Sequence, residues 1–331
     1  MNEKIKQNKT LWDIFTREEE YQPKKLDQHQ RFIHSFSRDK NILNPVVSEF
    51  LVKQGFNISY PQGKSFALCL THDIDVVRPS WLGTISESLE YFFQGKIKNY
   101  LKTMLGIFIR RWNPWWNFDE IMTLEKKYSA RSTFFFLADD SRYKIISLRK
   151  QLQAIDAQGW EIGLHGGYNS FNNPSQLKKE KQSLEDALGK KVLGYRSHHL
   201  RFVVPDTWEL LAQAGFGYDS TLGYPDSPGW RAGICHPFRP FNLKTNKKIN
   251  ILEIPLALMD ATLKHQKLNM EKSWQIIQDL IDTTAKYQGV LTILWHNNYF
   301  FGPWLLLYEK ILSYASSKNA WLTSGQEIYK F

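Results

Sequence analysis

From position 66 onward the chain alternates short apolar runs with longer segments of helical periodicity. Apolar runs at 66–71, 132–137, 160–164, 192–195, 217–219, 251–255, 290–295 and 320–323 have the length and composition of buried strands. Between them, 174–188, 205–214, 270–287 and 303–316 repeat apolar residues at helical spacing. Asn173, Pro174 and Gln176 supply the first of these with a cap, a proline at the first helical position and a Gln three residues after the cap. Strand and helix in alternation predict an α/β fold with a parallel sheet, and a barrel in preference to an open sheet. Residues 1–64 are polar, mixed in charge and weakly periodic, and end in the turn-like stretch 60–64. They are expected to form an N-terminal extension packed on a main domain of 65–331.

In such barrels chemistry collects at the C-terminal ends of the strands, where the loops converge over a rigid floor. The polar residues that interrupt the apolar pattern sit at those ends: His72, Asp73 and Asp75; His165 and Asn169; Arg196, His198 and His199; Asp219; His296 and Asn297. Continued strand geometry would put Asp73 and Asp75 on one face, where two carboxylates repel and a divalent cation relieves the repulsion. A pair of solvated turn aspartates is the plainer alternative. His165 enters a glycine-containing loop, and a lone histidine is more often structural than a ligand. Beside the aspartates, however, it gives the mixture of imidazole and carboxylate that zinc prefers.

Together these segments resemble the polysaccharide deacetylases, a superfamily that includes chitin, peptidoglycan and nodulation-factor deacetylases. The run 71–75 resembles its first motif in a variant of His-Asp-Val-Asp type, and 132–136 the buried strand that follows. The run 165–169 resembles the metal motif, 195–199 the arginine-containing motif and 291–296 a last strand ending in His. The resemblance covers about 65–331 and implies a distorted, incomplete (β/α) barrel of about seven strands. It also implies a metal-dependent hydrolase that removes an acyl group, acetyl in most of the family, from an N-acylated sugar or glycan.

On that resemblance Asp73 is the expected general base, Arg196 its partner and His296 the general acid, with Asp75 and His165 as metal ligands to one divalent ion, most readily zinc. Where the family carries a second histidine this chain has Asn169, and an amide oxygen is a poor zinc ligand. Of the two histidines that follow Arg196, His198 rather than His199 is the expected third ligand, and Asn169, Trp230 and Arg231 are expected substrate contacts. Asp219 and Arg231 could contact substrate or orient His296, or equally form a structural ion pair, and Trp230, Trp295 and Trp304 could form either a sugar-stacking wall or core. Two other functions fit the same residues: a non-catalytic glycan-binding barrel, and a hydrolase of another non-peptide C–N bond.

Composition narrows the setting. Of the 331 residues 42% are hydrophobic, 15% aromatic and 23% charged, a globular mixture rather than a disordered one. The net charge of +10 is spread through helical segments without a nucleic-acid motif, so DNA or RNA is not an expected partner. Two cysteines are too few for a disulfide framework, and the N-terminal residues carry charge without an apolar stretch. A cytoplasmic enzyme is expected. The segment 92–116 combines apolar residues, basic residues and tryptophans without an acidic group. That is the composition of an interfacial helix at the inner leaflet, which would suit a lipid-linked saccharide; a helix packed on the barrel with solvated lysines is the alternative.

Overall fold

A computed structural model describes residues 2–78, 113 and 115–331. The main sheet contains nine strands, and every ladder within it is parallel. In chain order they are β1 Phe66–Ile74, β2 Thr133–Leu137, β3 Glu161–Gly166, β4 Gly194–Ser197 and β5 Tyr218–Asp219, then β8 Leu252–Glu253, β9 Leu256–Met259, β10 Val290–Leu294 and β11 Ala320–Thr323. A small antiparallel pair, β6 Phe241–Asn242 and β7 Lys247–Lys248, lies apart from them.

The order β8-β5-β4-β3-β2-β1-β10-β9 begins and ends on two halves of one stretch, separated by Ile254 and Pro255. The sheet therefore curls until a single bent segment borders both edges. Pro255 has no N–H to donate to a ladder, which accounts for the break. Counting that segment once, and setting aside β11, which pairs only with the first part of β1, leaves seven staves. This is the distorted, incomplete α/β barrel that the strand and helix alternation and the resemblance implied.

The helices that cover the curl are α4 Phe118–Lys127, α5 Arg149–Ala157, α6 Pro174–Leu188, α7 Asp206–Gln213, α8 Asp260–His265, α9 Met270–Lys286, α10 Gly302–Ser317 and α11 Gly325–Lys330. Asn173 accepts from Gln176 N at 3.1 Å, so the cap read in the sequence is the one that starts α6. Most strand boundaries shift by a residue or two, and two of the changes bear on the site. β1 runs three residues beyond the apolar run, because His72, Asp73 and Ile74 still pair with Phe134, Phe135 and Phe136 of β2. The expected strand 251–255 is cut at Ile254, and its apolar continuation re-forms as β9.

The N-terminal extension contains α1 Asn2–Lys6, α2 Lys9–Thr16 and α3 Val46–Lys53. Ile5, Phe15, Val47, Leu51 and Tyr60 are buried in the same hydrophobic cluster as the barrel strands. A buried ion-pair cluster adds to the seam, in which Glu20 accepts from both Arg17 and Arg231. Among the described residues no helix is long and apolar enough to cross a membrane. The expected interfacial segment 92–116 lies outside the described residues except for Asn113, Trp115 and Trp116. Asn113 is buried and donates to Val77 O at 2.7 Å, and Trp116 packs edge-on against Phe118.

Candidate metal centre

Pleating sorts the end of β1 into two faces. His72 points into the interior behind the sheet, where its Nδ1 donates to Trp295 O at 2.7 Å and its Nε2 meets Glu125 at 2.9 Å. Glu125, on α4, also accepts from Tyr308 at 2.7 Å, Ser132 at 2.8 Å and Trp160 at 2.5 Å. His72 is thus a packed residue of a satisfied buried network. Asp73 and Asp75 take the opposite face and line a cleft of about 670 Å³ at the C-terminal mouth of the barrel.

His165, the penultimate residue of β3, reaches into the same cleft. Its Nδ1 lies 3.1 Å from the carbonyl of Arg196, which can only accept, so the ring proton sits on Nδ1 in the neutral form. That leaves the Nε2 lone pair facing Asp75 Oδ1 at 3.1 Å and Asp73 Oδ2 at 3.6 Å. His198, just beyond β4, brings its Nε2 to 3.8 Å from the same Asp75 oxygen. One ligand atom each from Asp75, His165 and His198 lie within 4.8 Å of one another. Two lone pairs face to face require a proton or a cation between them.

The titration behaviour follows. Burial disfavours charge on His165, but Asp73 and Asp75 outweigh it and raise its pKa, so without a cation a proton bridges the pair. Burial would likewise raise Asp75; the imidazoles of His165, His296 and His198 prevail and hold it well below the usual carboxylate range. His198 is pushed down to about 3 by burial and by the neighbouring His165, which keeps its ring neutral. An ionised carboxylate and a neutral imidazole are the forms that bind a metal. The donor set, one carboxylate and two imidazoles with an open side toward the cleft, fits a zinc-type ion.

The remaining groups surround these three. Arg196 is fully buried and places Nη1 3.8 Å from Asp73 Oδ1, while its Nη2 donates to Thr71 and Ser220 at 3.1 Å each. Asp73 Oδ1 is a buried oxygen without a hydrogen-bond donor. Across the mouth, His296 follows β10 with its Nε2 3.8 Å from Asp75 Oδ2. Asp260 accepts from His296 Nδ1 at 2.7 Å and from its backbone N–H at 2.6 Å. Burial works against a charged His296, yet Asp260, Asp75 and Asp73 outweigh it and raise the ring to about 10.

Asp260 was not singled out in the sequence. It stands at a strand end like the others, but the expected strand finishes at Pro255 and none is read over 256–259, so the rule has no position at which to find it. The segment 27–33 of the N-terminal extension also lines the cleft and was likewise missed.

Three expected substrate contacts stand elsewhere. Trp230 is 0% exposed and Arg231 1%, so neither reaches the cleft; Arg231 is held by Glu20 and by Gly223 O at 3.0 Å. Burial in the seam with the extension makes both structural. Asn169 is exposed, and its Oδ1 accepts from Arg201 at 3.1 Å, outside the three-residue cluster. Asp219 accepts from Thr221 and, shielded from solvent beside Glu253, is raised above the usual carboxylate range by burial. Trp295 is buried against Trp304 and Tyr308, in the core rather than on a sugar-stacking wall.

No family model matches the sequence, and no curated protein matches it. Solved structures do. A candidate polysaccharide deacetylase from Mycobacterium smegmatis superimposes with a TM-score of 0.58 at 17% identity, over 82% of this chain and 92% of that one. A CE4 family pseudoenzyme from Bacillus anthracis gives 0.44 at 12% identity over 82% and 66%, and a peptidoglycan deacetylase from Bacillus subtilis 0.39 at 12% over 82% and 92%. The superposition on the first of these, over most of both chains, assigns this protein the polysaccharide deacetylase fold.

Proposed function

We propose that the protein is a metal-dependent hydrolase that removes an acyl group, in the first instance acetyl, from an N-acylated sugar. One zinc-type ion is held by Asp75, His165 and His198. The observation that carries this reading is the convergence of those three side chains, with the His165 lone pair turned toward Asp75 by the bond from Nδ1 to Arg196 O. Imidazole donors favour zinc over magnesium or calcium.

A divalent ion bound there would polarise the amide carbonyl and lower the pKa of a coordinated water. Asp73 accepts the water proton as general base, with the Arg196 guanidinium 3.8 Å behind it. His296, on the opposite wall, protonates the leaving amine from Nε2, while Asp260 fixes its other nitrogen as a donor. With its pKa raised to about 10, His296 carries the proton it must give at neutral pH. Tyr299, half-buried on the cleft wall, offers the aromatic surface that Trp230 does not.

The substrate reading extends to a lipid-linked saccharide met at the cytoplasmic face of a membrane. Its support is the basic, tryptophan-bearing composition of 92–116, a stretch of sequence between β1 and α4. The test of the central reading is metal analysis of the purified chain alongside release of acetate from N-acetylated saccharides and nucleotide sugars. About one zinc per chain is expected, lost in His165→Ala and His198→Ala and kept in Asn169→Ala. A chain that takes up no metal, or that loses it through Asn169→Ala alone, overturns the assignment.

A further inference from the structure

The nitrogen contributed by His198 comes from an unusual piece of backbone. Immediately after it, His199 and Leu200 both take left-handed conformations, with φ of 58° and 54°. Residues other than glycine rarely do so, and they persist there only where the surroundings over-determine them. Much of what surrounds this turn comes from far away in sequence. Arg31 Nη1 donates to His199 O at 2.8 Å, and the ring of His29 stacks on the ring of His199 with centroids 4.8 Å apart and planes 17° apart.

These two residues are themselves locked. Asp27 pairs with the Arg31 guanidinium at 2.7 Å and closes a tight loop by accepting from the backbone of His29 and Arg31 at 2.8 and 2.9 Å. Arg201, on the far side of the turn, returns the contact by donating to His29 O at 2.9 Å and to Gln30 Oε1 at 2.8 Å. Strap and turn grip each other from both ends. Ladders to β3 and β5 hold β4 itself, but the direction of His198 depends on the turn that follows it.

We propose that the strap 27–31 of the N-terminal extension positions His198 for metal binding, with Arg31 and His29 as positioning residues. The extension is then part of the metal site, although it supplies no ligand. This rests on the metal reading above. Groups that orient a ligand typically change affinity by about 10- to 100-fold when removed.

The test measures zinc affinity of the chelator-stripped full chain by competition with a chromophoric chelator. Wild type is compared with Arg31→Ala, His29→Ala and Arg38→Ala, the last breaking the exposed pairs of Arg38 with Glu18 and Glu19 in the same extension. Zinc affinity is expected to fall at least about 10-fold in Arg31→Ala and several-fold in His29→Ala, and to stay unchanged in Arg38→Ala. Should Arg31→Ala fail to fold by circular dichroism, His29→Ala, which removes the ring stack on His199 and the ring's contact with Tyr168 but leaves the backbone bonds of the strap, carries the test. Wild-type affinity in both strap variants, or an equal loss in Arg38→Ala, overturns the proposal while leaving the metal reading intact. A wild-type chain that binds no zinc overturns the metal reading itself, and the proposal with it.

Discussion

Asp73 and Asp75 are two residues apart on one strand and share a face, yet their surroundings divide them. Asp75 has imidazoles on three sides and is the shared partner of His165, His198 and His296. Asp73 has His165 on one side and the Arg196 guanidinium behind it. The first environment suits a ligand and the second a base. Asp73→Asn is therefore expected to retain zinc while turnover falls by about 100-fold or more, because the amide cannot accept the proton. Zinc content and kcat measured on the same preparation check this, and turnover within a few-fold of wild type would move the base elsewhere.

At the scale of elements, the site depends on where β9 ends. Its last residue, Met259, leads directly into Asp260, the first residue of α8, and that carboxylate holds both the ring and the backbone N–H of His296. Asp260→Ala is expected to lower kcat by roughly 10- to 100-fold with zinc affinity unchanged, since only the acid loses its orientation. A parallel loss of zinc would show that Asp260 supports the ligands instead. At the other end of β3, on the same face as His165, Glu161 is buried beneath Tyr218 and Thr133, accepting from them at 2.8 and 2.5 Å. Burial, only partly offset by these donors and by the backbone N–H of Gln326, raises its pKa from 4.5 to about 7. The folded state thus binds this proton more tightly than the unfolded one. Its contribution to stability is complete below about pH 4.5 and is lost as pH rises through about 7. Urea unfolding at pH 4.5 and pH 8 should show the gap between wild type and Glu161→Gln changing by about 3 kcal/mol in the direction of wild-type loss. A constant gap would mean that the Glu161 pKa is the same in the folded and unfolded chain, and that burial does not raise it.

For the molecule as a whole, the net charge of +10 and the basic stretch 92–116 bear on where the protein works. Tryptophans beside lysines and arginines partition to the boundary of anionic bilayers, and each basic residue near such a surface adds about 1 kcal/mol. The full chain is expected to float with vesicles containing phosphatidylserine at low salt, to float less with phosphatidylcholine alone, and to be released by 0.5 M salt as screening shortens to about 4 Å. Failure to associate with anionic vesicles at low salt would remove the membrane contact and with it the case for a lipid-linked substrate.

Local pattern carried most of the architecture. Strand lengths, the Asn173 cap and the placement of His and Asp at strand ends depend on residues within a few positions of each other, and periodicity reports such relations directly. That Asp73 and Asp75 share a face while His72 turns away is of this kind. What lay beyond the sequence were relations between distant segments. The break at Pro255 that starts a new strand and brings Asp260 to His296 is one. The seam that buries Trp230 and Arg231 against Glu20 is another, for an exposed and a buried arginine look alike in sequence. The third is the strap 27–31, a polar stretch with no periodic signal, which reaches the metal centre only because the extension folds back across the barrel mouth. Such contacts are set by how packed elements close on one another, and only the tertiary structure decides them.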